Sequence, residues 1–349
     1  MEEGLEILHR KMVILLMALV VVFVFCGAAS AATVKTNQIS TAKINNVGGS
    51  ISQEYPAIDG NRVVWEQSDS SGHYAIYVKN LATGSIALVQ KSKQAQFYPR
   101  ISGNRVVWEQ MDLSGHYVVY VKNLATGSCV NVLKSTLKQA TPDISGTRVV
   151  WTQFISAHHT AIFEKNLATG VVIKLLSSTQ NQITPRISGN IVVWRQEEPN
   201  YHPVVYMKNL VTGAVSKVFR TSEIQIVPAI SGNNVVWQQT DASWNDNVYE
   251  KNLLTGVSGK VLASTTHDQV DPAISGSKMI WIDNDVSLGY TVIYMKNLAT
   301  GVYIKILITS KPVSNPVISG NIIVWEQTES NNGFLYYKNL VTGKIGRIT

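Results

Sequence analysis

The sequence contains only two cysteines, Cys26 and Cys129. Cys26 falls in an N-terminal segment that we expect to be removed, so Cys129 remains alone and an intrachain disulfide is excluded. Charged residues are also sparse, at 15% of the chain, whereas hydrophobic residues make up 45%. This composition excludes an intrinsically disordered chain and predicts a folded body that is stabilised by packing.

Motifs for several kinds of chemistry are missing as well. No Gly-x-Ser-x-Gly segment is present, which disfavours a serine hydrolase. The histidines lack the spacing of a zinc site. Asp283 and Asp285 resemble part of a calcium loop, but the glycine and the distal glutamate of such a loop are missing. We therefore expect no cofactor, no catalytic motif and no zinc site, and calcium at Asp283 and Asp285 is left open.

The first 31 residues differ from the rest of the chain. Two basic residues precede an apolar run over 12–25, and small residues follow. This order is typical of a secretory signal peptide, and the triplet Ala29-Ser30-Ala31 predicts a mature chain that begins near Ala32. The apolar stretch over 12–29 is at the lower length limit of a membrane-spanning helix, so an uncleaved anchor is the alternative. Both interpretations predict a secreted or cell-surface protein.

One sequence unit of about 43 residues recurs seven times after residue 50. A tryptophan marks each copy, at Trp65, Trp108, Trp151, Trp194, Trp237, Trp281 and Trp325. A proline precedes each tryptophan by nine residues, and a Lys-Asn pair follows it. The prolines are Pro56, Pro99, Pro142, Pro185, Pro228, Pro272 and Pro316. The Lys-Asn pairs begin at Lys79, Lys122, Lys165, Lys208, Lys251, Lys296 and Lys338.

Each unit has the pattern of four short strands joined by turns that contain glycine or asparagine. The run Val106-Val107-Trp108 is apolar on both faces, which predicts a strand packed between two neighbouring sheets. Radially arranged four-stranded units of this length are β-propeller blades. We predict an all-β chain that forms a seven-bladed β-propeller of four-stranded antiparallel blades. An open solenoid is the alternative, but its end repeats would be atypical and those of this chain are regular.

The predicted domain organisation follows from the repeat. It comprises a signal peptide or anchor over 1–31, a tether over 32–49, which could instead add a strand, and the propeller over 50–349. The predicted blades cover 50–93, 94–136, 137–179, 180–222, 223–266, 267–310 and 311–349. The last unit contains an outer strand of its own, so we expect the ring to close by packing alone.

The repeat, Pro-x-Ile-Ser-Gly-Asn-x-Val-Val-Trp followed by Tyr-x-Lys-Asn-Leu-x-Thr-Gly, resembles the β-propeller repeats of surface proteins from methanogenic archaea, which are related to TolB-like propellers. The resemblance covers about 300 residues. It implies an exported propeller of the cell surface or envelope, and it implies no catalytic residues. The Gly-His and Trp-Asp pairs of WD repeats are absent.

Glutamines recur three residues before the proline, where the chain enters each blade. They are Gln53, Gln96, Gln139, Gln182, Gln225 and Gln269, and Val313 replaces the seventh. In a propeller, the entry loop and the loop between the second and third strands share one rim and line the mouth of the central channel. A ring of amides there could bind sugar hydroxyls or a peptide backbone. The alternative is a hydrogen bond between blades that every unit needs.

Departures from the repeat are more informative about function than the repeat itself. After the proline, three consecutive units carry Arg100, Asp143 and Arg186, where the others carry alanine or valine. This set predicts either an ion-pair network near the channel or a contact for an anionic ligand. Trp244 in the fifth unit is outside the tryptophan series and suits stacking on a sugar ring. These exceptions direct the search for a site to units two to six.

The lysines of the Lys-Asn pairs are expected on the opposite rim, where they form a basic circle. Clustered positive charge could bind an anionic envelope polymer, and the alternative is that these lysines only solvate the rim. Nucleic acid is not expected as a partner of an exported chain. A membrane is expected to be contacted only through an uncleaved N-terminal segment.

Two functions from different classes are consistent with the sequence. The first is a non-enzymatic binding or structural module for a cell-surface protein or glycan. The second is a hydrolase or lyase that cleaves extracellular polysaccharide, which requires a pair of carboxylates at the channel mouth. The candidates for that pair are Glu54, Asp143, Asp268 and Asp271. The lack of a catalytic motif favours the first function.

Overall fold

The computed structural model describes residues 52–199, 202–262, 267–285 and 289–349. The predicted signal peptide and tether lie outside the described residues. Within these ranges the chain forms seven four-stranded antiparallel sheets. No helix there has the length and apolar character that are needed to cross a bilayer. The predicted seven-bladed propeller is confirmed.

The strands follow the same order in every blade, from the central channel outwards. The innermost strands are β1 (Gln53–Asp59), β5 (Gln96–Ser102), β9 (Gln139–Ser145), β13 (Gln182–Ser188), β17 (Ile224–Ser231), β21 (Asp268–Ser275) and β25 (Val313–Ser319). The second strands are β2 (Arg62–Ser68), β6 (Arg105–Met111), β10 (Arg148–Ser156), β14 (Ile191–Glu198), β18 (Asn234–Thr240), β22 (Lys278–Asp285) and β26 (Ile322–Glu329). The third strands are β3 (Tyr74–Asn80), β7 (Tyr117–Asn123), β11 (His159–Asn166), β15 (His202–Asn209), β19 (Asp246–Asn252), β23 (Tyr290–Asn297) and β27 (Asn332–Asn339). The outermost strands are β4 (Ile86–Leu88), β8 (Cys129–Asn131), β12 (Val172–Lys174), β16 (Val215–Lys217), β20 (Ser258–Lys260), β24 (Tyr303–Thr309) and β28 (Ile345–Arg347).

The ring is closed between blades seven and one. Strand β1 contacts β25, just as every innermost strand contacts the next. Blade seven contains four strands of its own, β25 to β28, so the seam is not held by a shared strand. Trp65 of blade one packs there with Val324 and Ile348. The N–H of Gly60 also donates to Ser319 Oγ over 2.9 Å, so hydrogen bonds accompany the predicted packing.

The repeated tryptophans form the centre of the packing between blades. All seven are fully buried. Trp194 packs against Val150 and Ile162 of the preceding blade. Its ring also stacks on Tyr206 of the third strand, with the ring centroids 5.9 Å apart. Each tryptophan therefore joins two neighbouring sheets, which explains why the second strand is apolar on both faces.

The repeated lysines and serines connect neighbouring blades as well. Lys122 Nζ donates to the carbonyl of Val89 in blade one over 2.6 Å, and Lys165 Nζ donates to Val132 in the same way. The amide of Gly146 donates to Ser102 Oγ of the blade before it over 3.0 Å. These lysines therefore make contacts between blades, and their binding of an anionic envelope polymer stays a prediction.

Candidate functional site

Two sets of loops meet at one rim, around the mouth of the central channel. Gln53, at the start of the innermost strand, pairs with Gln67 near the end of the second strand. The amide of Ser68 continues this pairing by donating to the carbonyl of Ser52 over 3.1 Å. The chain therefore enters each blade at the rim that also carries the loop between the second and third strands, as predicted.

The glutamines that were predicted to line this mouth lie between the blades. They are at most 1% exposed. Gln182 Oε1 accepts a hydrogen bond from the backbone N–H of Ile162, on the third strand of the preceding blade, over 3.2 Å. The same contact is made by Gln53, Gln96, Gln139, Gln225 and Gln269. These buried amides therefore make the hydrogen bond between blades that was the alternative to ligand binding.

Blade seven carries Val313 in place of this glutamine, and blade six shows why. Its outermost strand, β24, has 7 residues, whereas the other outermost strands have 3. Ile293 corresponds to Ile162 and is paired with Leu307 of the longer strand. Strand pairing therefore takes the place of the side-chain amide where the outermost strand continues.

A β-bulge distorts every innermost strand just before its proline. The residue before the proline has a left-handed backbone in all seven blades, with φ between 49° and 52°. These residues are Tyr55, Tyr98, Thr141, Thr184, Val227, Asp271 and Asn315. Such a conformation costs a residue other than glycine roughly 1–2 kcal/mol. Hydrogen bonds from the neighbouring blade offset this cost in several blades.

Glutamates of the second strand hold three of these bulges. Glu66 Oε2 accepts from the N–H of Tyr98 over 2.6 Å, and Glu109 Oε1 accepts from the N–H of Thr141 over 2.5 Å. Glu326 of blade seven makes the same bond to the bulge of blade one. Each glutamate directly follows a repeated tryptophan. Because blades seven, one and two are adjacent, these buried or half-buried carboxyl groups are concentrated on one side of the ring.

Burial keeps two of these carboxyl groups protonated up to an unusually high pH. Burial is the main cause that raises the pKa of Glu66 to about 8 and the pKa of Glu109 to about 7. The bonds from backbone N–H groups act in the opposite direction. Glu54 lies directly across from Glu66 on β1 and raises the pKa of Glu66 further. At neutral pH the Glu66 carboxyl is mostly neutral, so it can donate a hydrogen bond as well as accept one.

Two tyrosines stand beside this group of glutamates. The rings of Tyr55 and Tyr98 meet edge to face, with their centroids 4.8 Å apart. Burial raises the pKa of Tyr98 to about 12 and also raises the pKa of Tyr55, so both hydroxyls stay neutral. Tyr98 is 37% exposed. An aromatic ring beside neutral polar groups offers both stacking and hydrogen bonds to a ligand.

The sequence alone did not indicate this cluster of tyrosines and glutamates, because its members alternate with repeated residues. One signal was nevertheless present, in the residue after each repeated tryptophan. That residue is glutamate in three units and differs in the others, which carry Thr152, Arg195, Gln238 and Ile282. The cluster lies in blades seven, one and two, so most of it falls outside units two to six, where the site was predicted.

Arg100, Asp143 and Arg186 lie on neighbouring innermost strands and are all partly exposed. None of the ion pairs within 4.0 Å among the described residues joins Asp143 to either arginine, so the predicted ion-pair network is not formed. Asp143 Oδ2 instead accepts from the N–H of Ile187 over 2.9 Å. The three charges still influence one another, because Asp143 and Arg186 both affect the pKa of Arg100.

Trp244 lies in the loop between β18 and β19, on the same rim. It is 79% exposed and has a φ of 65°. Its N–H donates to the carbonyl of Asp241 over 2.9 Å, which closes the turn. The Asp241 carboxylate accepts from the N–H groups of Ser243 and Asn245 over 2.9 and 3.0 Å. The turn is therefore well defined, and it directs a large aromatic side chain into solvent.

Blades one and two contain the same turn with glycine in the place of Trp244. Gly72 donates to the carbonyl of Asp69 and has a φ of 79°, and Gly115 donates to Asp112 and has the same φ. Glycine adopts this conformation without a steric cost. Glycine is therefore the residue that fits this turn without strain, whereas tryptophan adopts the same left-handed backbone at a steric cost.

The carboxylates proposed for a catalytic pair lie in three different blades, with Glu54 in blade one, Asp143 in blade three, and Asp268 and Asp271 in blade six. Glu54 joins the group of glutamates near Glu66. Asp143 lies between the two channel arginines, and Asp271 accepts from the N–H of Asn315 at the next bulge. Asp268 Oδ1 accepts from the N–H of Asp246 over 3.1 Å.

The calcium prediction at Asp283 and Asp285 stays a prediction, because the side chain of Asp285 lies outside the described residues. Asp283 Oδ1 is 3.1 Å from Nδ1 of His267. Among the described residues, no group of three or more histidine, cysteine, aspartate or glutamate side chains has the arrangement of a metal site.

Comparisons with known proteins support the fold. No protein-family profile matches the sequence, and no curated protein matches it significantly. The chain is similar in structure to the β-propeller domain of the Trilobed protease from Pyrococcus furiosus, with a TM-score of 0.68 and 14% identity over 86% of this chain and 98% of that one. It is also similar to an acylaminoacyl peptidase from Pyrococcus horikoshii, with a TM-score of 0.66 and 15% identity, covering 86% of this chain and 52% of the peptidase. A puromycin-hydrolyzing peptidase of Mycobacterium tuberculosis gives a TM-score of 0.66 and 12% identity, with 86% of this chain and 52% of the peptidase covered.

The similarity shows the propeller fold alone, because the identities are low. The chain spans about half the length of the two complete peptidases, so what it shares with them is a propeller. The propeller domain of the Trilobed protease has an open velcro topology. In the present chain each blade takes its four strands from one continuous stretch of sequence.

Proposed function

We propose that the chain is an exported, non-enzymatic binding module that recognises carbohydrate at the mouth of its propeller. The signal-like order of residues 1–31 supports export. The resemblance of the repeat to surface propellers of methanogenic archaea supports a role at the cell surface. The residues that recur in the blades make contacts between blades. Residues that differ from the repeat are therefore the candidates for ligand binding. Protein ligands also suit an exported module, but the exposed aromatic rings of Trp244 and Tyr98 favour sugars.

The observation that carries this proposal is the conformation and exposure of Trp244. A side chain of this size is normally buried for most of its surface. Trp244 instead projects from a turn that suits glycine, with a left-handed backbone that costs stability. Strained residues persist mainly where a function requires them. A flat aromatic ring held out at the rim is suited to stacking on a sugar ring.

Replacement of Trp244 by glycine separates function from stability. We expect Trp244→Gly to weaken glycan binding by about tenfold or more, because the stacking surface is lost. We expect the free energy of unfolding to stay the same or to rise by up to about 1 kcal/mol, because glycine removes the strain. A glycan array identifies the bound sugars, and calorimetric titration together with urea unfolding measures both effects.

Leu113 provides the matched control, because it is an exposed apolar side chain in the equivalent loop of blade two. Leu113→Ala should leave both binding and stability unchanged. Equal binding by the wild type and the Trp244→Gly variant would refute the role of Trp244. A purified chain that bound no glycan would refute the proposed function.

The alternative proposal, an enzyme that cleaves polysaccharide, is supported by one observation. Glu66 and Glu109 lie on the second strands of neighbouring blades and are only 2% and 4% exposed, and this burial raises their pKa values to about 8 and about 7, near the value that a general acid needs at neutral pH. If the alternative is correct, the purified chain should release reducing ends or unsaturated sugars from polysaccharide. The double change Glu66→Gln and Glu109→Gln should then lower that rate by about a hundredfold or more. The binding proposal predicts no turnover by either protein.

A further inference from the structure

We propose that Arg100 and Arg186 form a subsite for a sugar carboxylate inside the channel, so that the recognised glycan is an acidic one. This inference rests on the proposed binding of carbohydrate at the mouth. The ligand is then an acidic glycan, and the two arginines are the groups that select it.

The two guanidinium groups retain most of their hydrogen-bonding capacity. Arg100 Nη1 donates to the carbonyl of Pro99 over 2.9 Å, and Arg186 Nη1 donates to the carbonyl of Pro185 over 2.9 Å. A guanidinium has five N–H donors, and neither arginine side chain makes another hydrogen bond among the described residues. Asp143 lies on the strand between them and directs one carboxylate oxygen to the N–H of Ile187. Several donors on each arginine are therefore available to a ligand.

The fold does not need charged residues at this position. Ala57, Ala229 and Ala273 occupy the equivalent positions in other blades and pack in the core there. Burial opposes the charge of Arg100 and lowers its pKa to about 10, with the neighbouring Arg186 as the second cause. Two like charges have thus been placed near each other at a cost. Asp143 affects the pKa of Arg100 less than Arg186 does and offsets this cost only in part, so a bound anion would supply the rest.

The geometry of the guanidinium donors suits a carboxylate. Arg100 and Arg186 each carry a positive charge, whereas burial raises the pKa of Asp143 and so opposes its negative charge, which leaves an excess of positive charge. A carboxylate has one negative charge and two coplanar oxygens, which match the planar fork of a guanidinium. Tyr98 lies two residues before Arg100 on β5 and exposes an aromatic ring that could stack on the sugar that bears the carboxylate.

The surrounding glutamates make this subsite sensitive to pH. Arg100 is influenced by Glu66, Glu109 and Asp143, as well as by Arg186. Below about pH 7 the raised pKa values keep Glu66 and Glu109 largely neutral, so they do not compensate the arginines. Above about pH 8 both glutamates ionise, and their negative charge competes with the ligand. Glu54 and Glu326 adjoin Glu66 and belong to the same acidic side.

The experiment compares tetramers of galacturonate and glucuronate with the same tetramers after their carboxyl groups have been reduced to alcohols. Calorimetric titration of the full chain at pH 6 should show that an acidic tetramer binds about tenfold or more tightly than its reduced form. The variant with Arg100→Ala and Arg186→Ala should lose this preference and bind both forms equally. Alanine is the residue of other blades at this position, so the variant should fold, and circular dichroism checks this. The preference of the wild type should also decline between pH 6 and pH 9.

The matched control is Arg105→Ala together with Arg148→Ala. These arginines begin the second strands β6 and β10, at the ends away from the mouth, so their removal should leave the preference intact. Equal affinity of the wild type for acidic and reduced tetramers, or an unchanged preference in the Arg100 and Arg186 variant, overturns the carboxylate subsite. Loss of binding to all tetramers in Trp244→Gly, with the preference still present in wild type, supports both proposals. Failure of every tetramer and every arrayed glycan to bind overturns the proposed function itself.

Discussion

Trp194→Ala is expected to lower the free energy of unfolding by about 3–5 kcal/mol, because it opens a cavity between two blades. The indole is fully buried against Val150 and Ile162 of blade three and stacks on Tyr206 of its own sheet. Its Nε1 also donates to Gln196 Oε1 over 3.4 Å, and this bond is lost as well. Neighbouring sheets can relax only partly into the space, since each is held by a second neighbour in the closed ring. Urea unfolding followed by circular dichroism measures the change.

Trp244→Ala is the control for this prediction, because it makes the same chemical change at an exposed position. Its free energy of unfolding should stay within about 0.5 kcal/mol of the wild-type value. A similar loss in both variants would show that Trp194 does not hold the blades in the way that the structure indicates.

Gln182→Val should lower the free energy of unfolding by about 1–3 kcal/mol. Valine is the natural residue at the equivalent position of blade seven, so its size and shape are compatible with the fold. The change removes the acceptor of the buried N–H of Ile162 and the donor to Gln196 Oε1, 3.2 Å away. The loss therefore measures the cost of leaving buried polar groups without partners, and urea unfolding gives its size.

Hydrogen exchange gives this prediction its second readout. The amide of Ile162 should exchange faster in Gln182→Val than in the wild type, because its acceptor is gone. The amide of Ile293 is the internal control, since that residue is paired with β24 and not with a glutamine. Unchanged protection at Ile162 would contradict the assigned role of the glutamine.

The ring could be predicted from the sequence because each element of the repeat has a local physical meaning. The tryptophan and the two apolar residues before it require burial on both faces of a strand, and the glycine turns require a left-handed backbone. Seven equal units that are apolar on both faces bury these faces when they pack radially around a common axis. The glutamines and lysines recur because neighbouring blades need the same contacts around the ring. They accordingly lie between the blades.

The candidate site could be predicted only in part. Trp244, Arg100 and Arg186 stand out in the sequence because they interrupt the repeat, and their role in binding stays a prediction. Glu66 escaped notice because its neighbours in sequence are repeated residues, and its shifted pKa arises from burial and from Glu54 on another strand. The bulge at Tyr98 was equally hidden, since a left-handed residue before proline has no signature in the sequence. Both features depend on contacts across strands and blades, which spacing along the chain does not record.

The way in which each blade takes its strands from one continuous stretch of sequence has a consequence for the connectivity of the ring. Gln53 Nε2 donates to Thr349 Oγ1 over 2.5 Å, so the first and last described blades meet at a seam that resembles the other six. A circular permutation that joins the chain at this seam and opens it between two other blades would therefore leave every four-stranded sheet intact. The order of the blades around the axis determines which residues line the channel. The blade in which the chain begins does not affect this lining.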